Sequence, residues 1–414
     1  MKFKAVNFYT TLFIIVIFLQ LYLPSFKVNI FVQLFLLILF FTLEKASISL
    51  NFLKTIAPLF ALFFIGFLGM AINKYALFNI TKDIFHFIKP LLGILIGYFF
   101  YKKINNFELF IKTIVLIGVA SAAIHFCLIL FFSRTETVSD VRDLGRDNFL
   151  ELFSLFFLLF YKKFQGVSLF NSRRNNQIII IFLLISNILY FSRTMIVAAI
   201  IMLMSIYGYS KITKNSIKII GVLLLLVGLF YAYLFSVKID RNGNALESFL
   251  YKVKIAPSEI VKTKIDRENH KDLWDHWRGY EAKRAFALME ENPSSYVFGT
   301  GFGSLVNLKF FAPLTDNSND KGLKYISELH NGFPYILYKT GILGLLIYMF
   351  FISKLYQNIY LGNQFNFVFI SAIALVFLFT TLTITGLYNT KDIIVFILGA
   401  MLFFKEETLI AKKA

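Results

Sequence analysis

Cysteine occurs once in the 414 residues, at Cys127, which excludes an intramolecular disulfide and any cysteine-based zinc site. Set in an apolar run, this thiol is expected to be buried and inert. Charge is scarce too. Only 16% of residues are charged and 58% are hydrophobic, against about 25% and roughly 45–50% in a soluble domain. That balance excludes an ordinary water-soluble enzyme, and so much apolar surface equally excludes a disordered chain. Acids are the scarcer sign, 24 against 42 Lys and Arg, for a net charge of +18. In a soluble chain this excess would point to nucleic acid. A membrane protein gathers Lys and Arg on cytoplasmic loops for a different reason, so nucleic acid is not expected as a partner. Tryptophan is rare, two residues against 52 Phe and 21 Tyr, and no internal repeat or low-complexity tract is visible.

What the chain does have is long apolar runs. A spanning helix needs about 20 mostly apolar residues. Such runs cover Phe8–Leu23, Val28–Leu43, Ile56–Ile72, Ile84–Phe100, Ile111–Phe132, Phe149–Phe160, Ile178–Phe191, Met195–Tyr209 and Ile217–Val237. After a polar gap come Tyr335–Ile352, Phe365–Leu387 and Ile393–Phe404. The expectation is an all-α polytopic membrane protein of about twelve spans. The first run has no small-residue cleavage site after it and is expected to be a retained helix. With a cytoplasmic N-terminus, the inside segments hold about 18 basic residues and the short outside loops about 8. Both termini are therefore expected inside.

The division expected is nine spans in 1–237, a large outer loop over 238–333, and three spans in 334–414. The loop carries 14 Lys or Arg and 13 Asp or Glu, so it is nearly neutral while holding over half of the acids. A loop this long is usually functional. Within it, Leu273–Glu291 has apolar residues at helical spacing and ends before Pro293. Both tryptophans, Trp274 and Trp277, lie here, as expected of a helix at headgroup level.

Ionisable groups at membrane boundaries are functional candidates. Arg193, in Ser192-Arg193-Thr194 between two apolar runs, is either a snorkelling helix-end arginine or an anion clamp, since guanidinium holds phosphate oxygens bidentately. Arg278 and Arg284 lie six residues apart on the loop helix, so one can face a site while the other faces water. His330, in Glu328-Leu329-His330-Asn331-Gly332 at the loop exit, can take or orient a hydroxyl proton or serve a structural role. His270 and His276 read as surface residues, and His86 and His125 as structural. Charged residues buried on several spans, with two-fold repeats, would mark a transporter or flippase. Neither is evident. Gly299-Thr300-Gly301-Phe302-Gly303 lacks the Lys-Ser/Thr of a phosphate loop and reads as a Gly-rich turn re-entering the membrane surface. The Asp140–Asp147 loop, with Arg134, Arg142 and Arg146, is a solvated loop or a contributor to polar-substrate binding. No spacing suggests a metal site, and no cofactor is expected.

The order of these pieces resembles a known family. Ser192-Arg193-Thr194 opens a span, HWRGYEAKRAFALMEENPSSYVFGTGFGSL follows in the loop, and ELHNGFPYILYKTGILGLL closes it. This is similar to the O-antigen ligase and O-antigen polymerase superfamily of bacterial envelope glycan assembly, most strongly from Arg193 to Leu346. The resemblance implies a multi-pass inner-membrane glycosyltransferase with a periplasmic active site. Its donor is a glycan on undecaprenyl pyrophosphate. The acceptor is a second lipid-linked glycan in a polymerase, or lipid A–core in a ligase. A protein-glycosylating relative would keep the same residues. Arg193 and Arg278, with Arg284 as the alternative loop arginine, match the residues that hold the donor pyrophosphate; His330 matches the one that activates or positions the acceptor, beside Asn331. Membrane lipid and a chain-length regulator are further candidate partners. The polymerase is the preferred expectation.

Overall fold

Long runs of Phe, Ile and Leu leave the backbone no polar partner but itself, and in lipid only helices or closed barrels satisfy every peptide group internally. A computed structural model of the chain describes residues 5–23, 25–132, 149–241, 243–262, 264–266, 268–314, 321–389 and 392–412. Helix accounts for 77% of the structure. In chain order come α1 (Ala5–Tyr22), α2 (Phe26–Thr42), α3 (Leu50–Ile72), α4 (Leu77–Ile104), α5 (Phe107–Phe132), α6 (Leu150–Gln165), α7 (Arg173–Leu189), α8 (Arg193–Ile206) and α9 (Lys214–Ser236). The polar segment holds α10 (Ala245–Val261), α11 (His270–Asp275), α12 (Trp277–Glu290), α13 (Ser295–Phe298) and the strands β1 (Val306–Ala312) and β2 (Leu323–Ile326). Then follow α14 (Gly332–Tyr356), α15 (Phe365–Thr383) and α16 (Ile394–Ala411).

Each apolar run coincides with a helix. Among the described residues, seven helices (α1, α3, α4, α5, α9, α14 and α15) are long and apolar enough to cross a membrane, and α2 and α8 are shorter apolar helices. The protein is thus mostly helical and multi-pass. Their starts are written in the sequence: Ser25, Ser49, Ser172, Ser192 and Thr213 each accept a first-turn N–H. The apolar spans differ in depth. α4 and α15 are 78% buried along their most apolar stretch, whereas α9 is 6% buried and packs chiefly against α10.

α14 is broken at Gly341, whose φ of 66° no β-carbon tolerates well. The break frees carbonyls in the preceding turn, and the Gly-rich turn supplies donors for them. Thr300 N–H donates to the Tyr338 carbonyl (2.6 Å) and Gly301 N–H to that of Lys339 (3.1 Å). A β-carbon on Gly69 of α3 would lie 2.6 Å from the Gly301 nitrogen, so this turn is wedged between α3 and α14. It seals a broken helix, as discontinuous membrane helices require.

Several expectations are corrected. The polar segment is not purely helical: β1 and β2 pair antiparallel, with Val306 opposite Ile326. The single helix expected over Leu273–Glu291 is two, α11 and α12, divided at His276. Trp277 is buried against Trp274 and Phe310, because the apolar stripe of α12 packs on the hairpin and not on a lipid surface. His276 is mostly enclosed, bonding the Asp272 carbonyl (3.0 Å) and Ser258 Oγ (3.2 Å). The side chain of His270 and the whole of Arg134, Arg142, Arg146 and the Asp140–Asp147 loop lie outside the described residues. Cys127 faces outward from α5, since a continuous apolar run does not reveal which side of a helix meets protein.

Buried ionisable groups are present after all. Glu151 of α6 accepts from Ser121 (2.8 Å), Ser186 (2.5 Å) and Tyr190 (2.9 Å), and His125 bonds Ser186 (2.9 Å). Asp83 of α4 pairs with Lys339 of α14, both fully buried. Asp83 also accepts from Gly303 N–H (2.6 Å), and Lys339 donates to the Ser304 carbonyl (2.7 Å). Glu151, Asp83 and Lys339 stand within the first eight residues of their helices and are locally paired, whereas His125 lies well inside α5.

Candidate active site

The chain turns sharply from α7 into α8 through Phe191, which takes a left-handed backbone (φ 44°), uncommon for a bulky residue. Ser192 then caps α8, placing Arg193 at its first helical position. A helix N-terminus already favours anions, and the guanidinium adds a full charge there. α10 approaches this point with Pro257 inside it. Proline has no N–H to give the Val253 carbonyl four residues back, and Tyr231 of α9 donates there (3.1 Å). The neighbouring Lys252 carbonyl accepts from Arg193.

Two residues beyond Pro257 lies Glu259, where the site is tied together. Arg193 donates to it through Nη1 and Nη2 (both 3.1 Å to Oε1), and Arg278 Nη1 donates to Oε2 (2.6 Å). Arg278 Nε donates to the Thr383 carbonyl (3.0 Å) at the C-terminal end of α15, where a cation is favoured. One carboxylate thus holds two guanidiniums from elements 85 residues apart, leaving a net charge of +1 on the trio. The carboxylate sits where a phosphate oxygen would find the same donors.

Two cavities meet at this bridge. One, of about 460 Å³, is walled by Ile196 and Val197 of α8, Phe230 of α9, Phe249 of α10 and Phe379 of α15, with Arg193, Glu259 and Arg278 as its charged groups. Apolar on most sides and bounded by the loosely packed α9, it is shaped for a hydrocarbon. The other, about 230 Å³, shares Glu259 and Arg278 and adds Trp274, Asp275, Trp277, Leu314 and His330.

His330 stands just before α14, its side chain 55% exposed, whereas Glu281 behind it is 1% exposed. His330 Nδ1 lies 2.9 Å from Glu281 Oε1, and the His330 backbone N–H donates to Oε2 (2.8 Å). The hydrogen bond to Glu281 raises the imidazole pKa above its ordinary value, outweighing burial and the nearby Arg278. An ionised Glu281 calls for the proton on Nδ1, which leaves the Nε2 lone pair to accept a proton from a substrate. α12 carries Arg278 and Glu281 three residues apart on one face. Its other face is anchored to β1 by Trp277 on Phe310 and by Tyr280 Oη donating to the Leu308 carbonyl (2.5 Å).

Residues 178–349 match the family described as O-antigen ligase. This match supports the O-antigen ligase and polymerase superfamily that the sequence resembles. The matched stretch runs from α7 into α14 and contains Arg193, Glu259, Arg278, Glu281 and His330. No curated protein and no solved structure matches the chain. The match supports an enzyme role of the O-antigen ligase or polymerase type, a family whose substrates are lipid-linked glycans.

Within the matched stretch, the arginines and histidine singled out in the sequence have different fates. Arg193, Arg278 and His330 gather around the two cavities. Arg284 does not join them: its Nε donates to the Asn307 carbonyl of β1 (2.8 Å). Asn331 is buried and caps α14 by accepting from Phe333 N–H (3.1 Å), so its side chain orders the backbone next to His330. Glu259 and Glu281 are the residues that sequence reasoning missed. In a segment with 13 acids neither stands out, though Glu281 could have been found from its three-residue spacing to Arg278 on one helix. Among the described residues, no three His, Cys, Asp or Glu side chains converge to hold a metal ion.

Proposed function

We propose that the protein is a polysaccharide polymerase. It transfers a glycan from undecaprenyl pyrophosphate to a second lipid-linked glycan at the periplasmic face of the bacterial inner membrane, with about twelve spans and both termini cytoplasmic. The observation that carries this reading is the Arg193–Glu259–Arg278 bridge at the junction of an apolar cavity and the His330 pocket. The donor's isoprenoid chain occupies the apolar cavity. Its pyrophosphate takes the two guanidiniums from Glu259, exchanging one carboxylate for a more highly charged anion. Its first sugar projects toward His330. The acceptor hydroxyl attacks the anomeric carbon, the bond to the pyrophosphate oxygen breaks, and the hydroxyl proton passes to His330 Nε2. A single displacement of this kind inverts the anomeric centre. Fixed guanidinium donors stabilise the charge that develops on the leaving pyrophosphate.

A ligase transferring the glycan to lipid A–core would use the same three residues. The two separate in the surface glycan of a strain whose copy is inactivated. A polymerase defect leaves the acceptor capped by a single repeat unit. Bare acceptor, with polymer accumulating on the lipid carrier, would reject the polymerase in favour of the ligase.

A further inference from the structure

The transfer reaction proposed above joins two glycans that are both anchored in the membrane, and the cavity at Arg193 is assigned to the donor's anchor. A larger cavity, about 830 Å³, lies between α2 and α4 and is also lined by Glu328, in the segment carrying His330. Its walls are phenylalanines of these helices, among them Phe31 and Phe85, and its polar groups are Lys27, Lys82, His86 and Glu328. Here the chemistry of the first cavity recurs. Glu328 Oε1 lies 3.0 Å from Lys82 Nζ and 3.0 Å from His86 Nε2, so again one carboxylate gathers two basic groups. Burial would raise the Glu328 carboxyl, but the hydrogen bond and charge of His86, with Lys82, override it and hold the pKa at about 2. Lys27 stands 5.5 Å above the Phe78 ring and adds a further positive charge at the rim. The His86 ring is stacked on Phe26 (4.1 Å), which fixes its direction.

Glu328 precedes His330 by two residues, so this cavity and the pocket that holds Arg278 are lined by near neighbours of one segment. A group whose anchor lies in the larger cavity would be held close to His330. We propose that this cavity binds the phosphate-bearing lipid anchor of the acceptor, with Lys27, Lys82 and His86 on its phosphate and the aromatic walls on its hydrocarbon. The inference rests on the transferase reading. It commits to a lipid-linked phosphate, because the walls are apolar and the cations are few.

The test uses the full chain in lipid nanodiscs and undecaprenyl phosphate as probe, with bound lipid counted by native mass spectrometry. Two equivalents are expected on the unaltered protein. Lys27→Ala with Lys82→Ala should bind the second equivalent roughly five- to tenfold more weakly per lysine removed while keeping the first. Arg193→Ala should do the reverse. Lys27→Ala alone leaves the Lys82–Glu328 pair in place and so guards against misfolding, and, removing one phosphate cation of the two lysines, it should show the smaller shift. Equal displacement by phosphatidylglycerol or by inorganic phosphate would overturn the proposal, as would a lysine variant that still binds two equivalents. Counting does not require turnover. Two lysine-sensitive and arginine-sensitive sites in a protein without transfer activity would therefore leave this site standing and reject the transferase reading alone.

Discussion

At the scale of single residues, the site is governed by which oxygen each cation holds. Arg193 and Arg278 both hold Glu259, and the proposed donor would displace that carboxylate. Glu259→Gln removes the competing charge but keeps the side chain's size, so donor binding should tighten, measured with a non-transferable lipid pyrophosphate. Weaker binding would mean that Glu259 only positions the arginines. Arg193→Ala and Arg278→Ala should each lower the transfer rate by about 10²–10³ with the protein still inserted, as for other lost donors to a developing anion. Lysine at 278 should not restore activity, because a point charge cannot bond Glu259 and the Thr383 carbonyl together as guanidinium does. For His330 the sign of the pKa shift decides the pH profile. A base works when neutral, and Glu281 raises the imidazole pKa, so transfer should climb with pH through a point above the ordinary histidine value. Glu281→Gln should move that limb to lower pH and reduce the maximal rate; a profile that stays in place would take His330 out of the proton path.

At the scale of elements, the site depends on a knot far from its chemistry. Lys339, Asp83, Ser304 and the Gly303 N–H fasten α14, α4 and the Gly-rich turn together, and α14 begins at the residue after Asn331. Removing one partner leaves an uncompensated buried charge, costing about 3–5 kcal/mol, whereas replacing both with apolar residues of similar volume is often neutral. Lys339→Met and Asp83→Leu should therefore each lower the thermal midpoint in detergent, and the double variant should recover much of it. A double variant as unstable as the sum of the singles would show that the pair acts independently, contrary to the geometry. Glu151 with its three hydroxyl donors is a second such cluster, joining α5, α6 and α7.

At the scale of the whole molecule, the polar elements pack on apolar helices, α12 against α14 and α13 against α3. The molecule sets Arg193, Arg278, His330 and the Lys27–Lys82–His86 group in cavities lined in part by residues of these polar stretches. Its orientation can be read with cysteine chemistry, since Cys127 is the only thiol to remove. In a Cys127→Ser background, Lys271→Cys should react with a membrane-impermeant maleimide in cells whose outer membrane is permeabilised, and Lys102→Cys should not. The opposite labelling would invert the topology and move the proposed site to the cytoplasm.

The sequence by itself determined that the chain is a multi-pass helical membrane protein, because apolar run length is a one-dimensional quantity that lipid reads directly. It also singled out Arg193 and His330 as candidates, because charge beside an apolar run is costly and therefore conspicuous, and left Arg278 and Arg284 as alternatives. The tertiary structure decided what those residues touch. Glu259 and Glu281 are ordinary acids in a polar segment until α10 and α12 bring them against arginine and histidine. Arg284 and Arg278 are indistinguishable in composition until the hairpin takes one of them. The Gly-rich turn resembles a phosphate loop until the break at Gly341 shows which carbonyls its N–H groups satisfy. Trp277, Cys127 and the Asp83–Lys339 pair escaped for one shared reason: a pattern along a chain specifies that a helix has faces, and only packing assigns each face its neighbour.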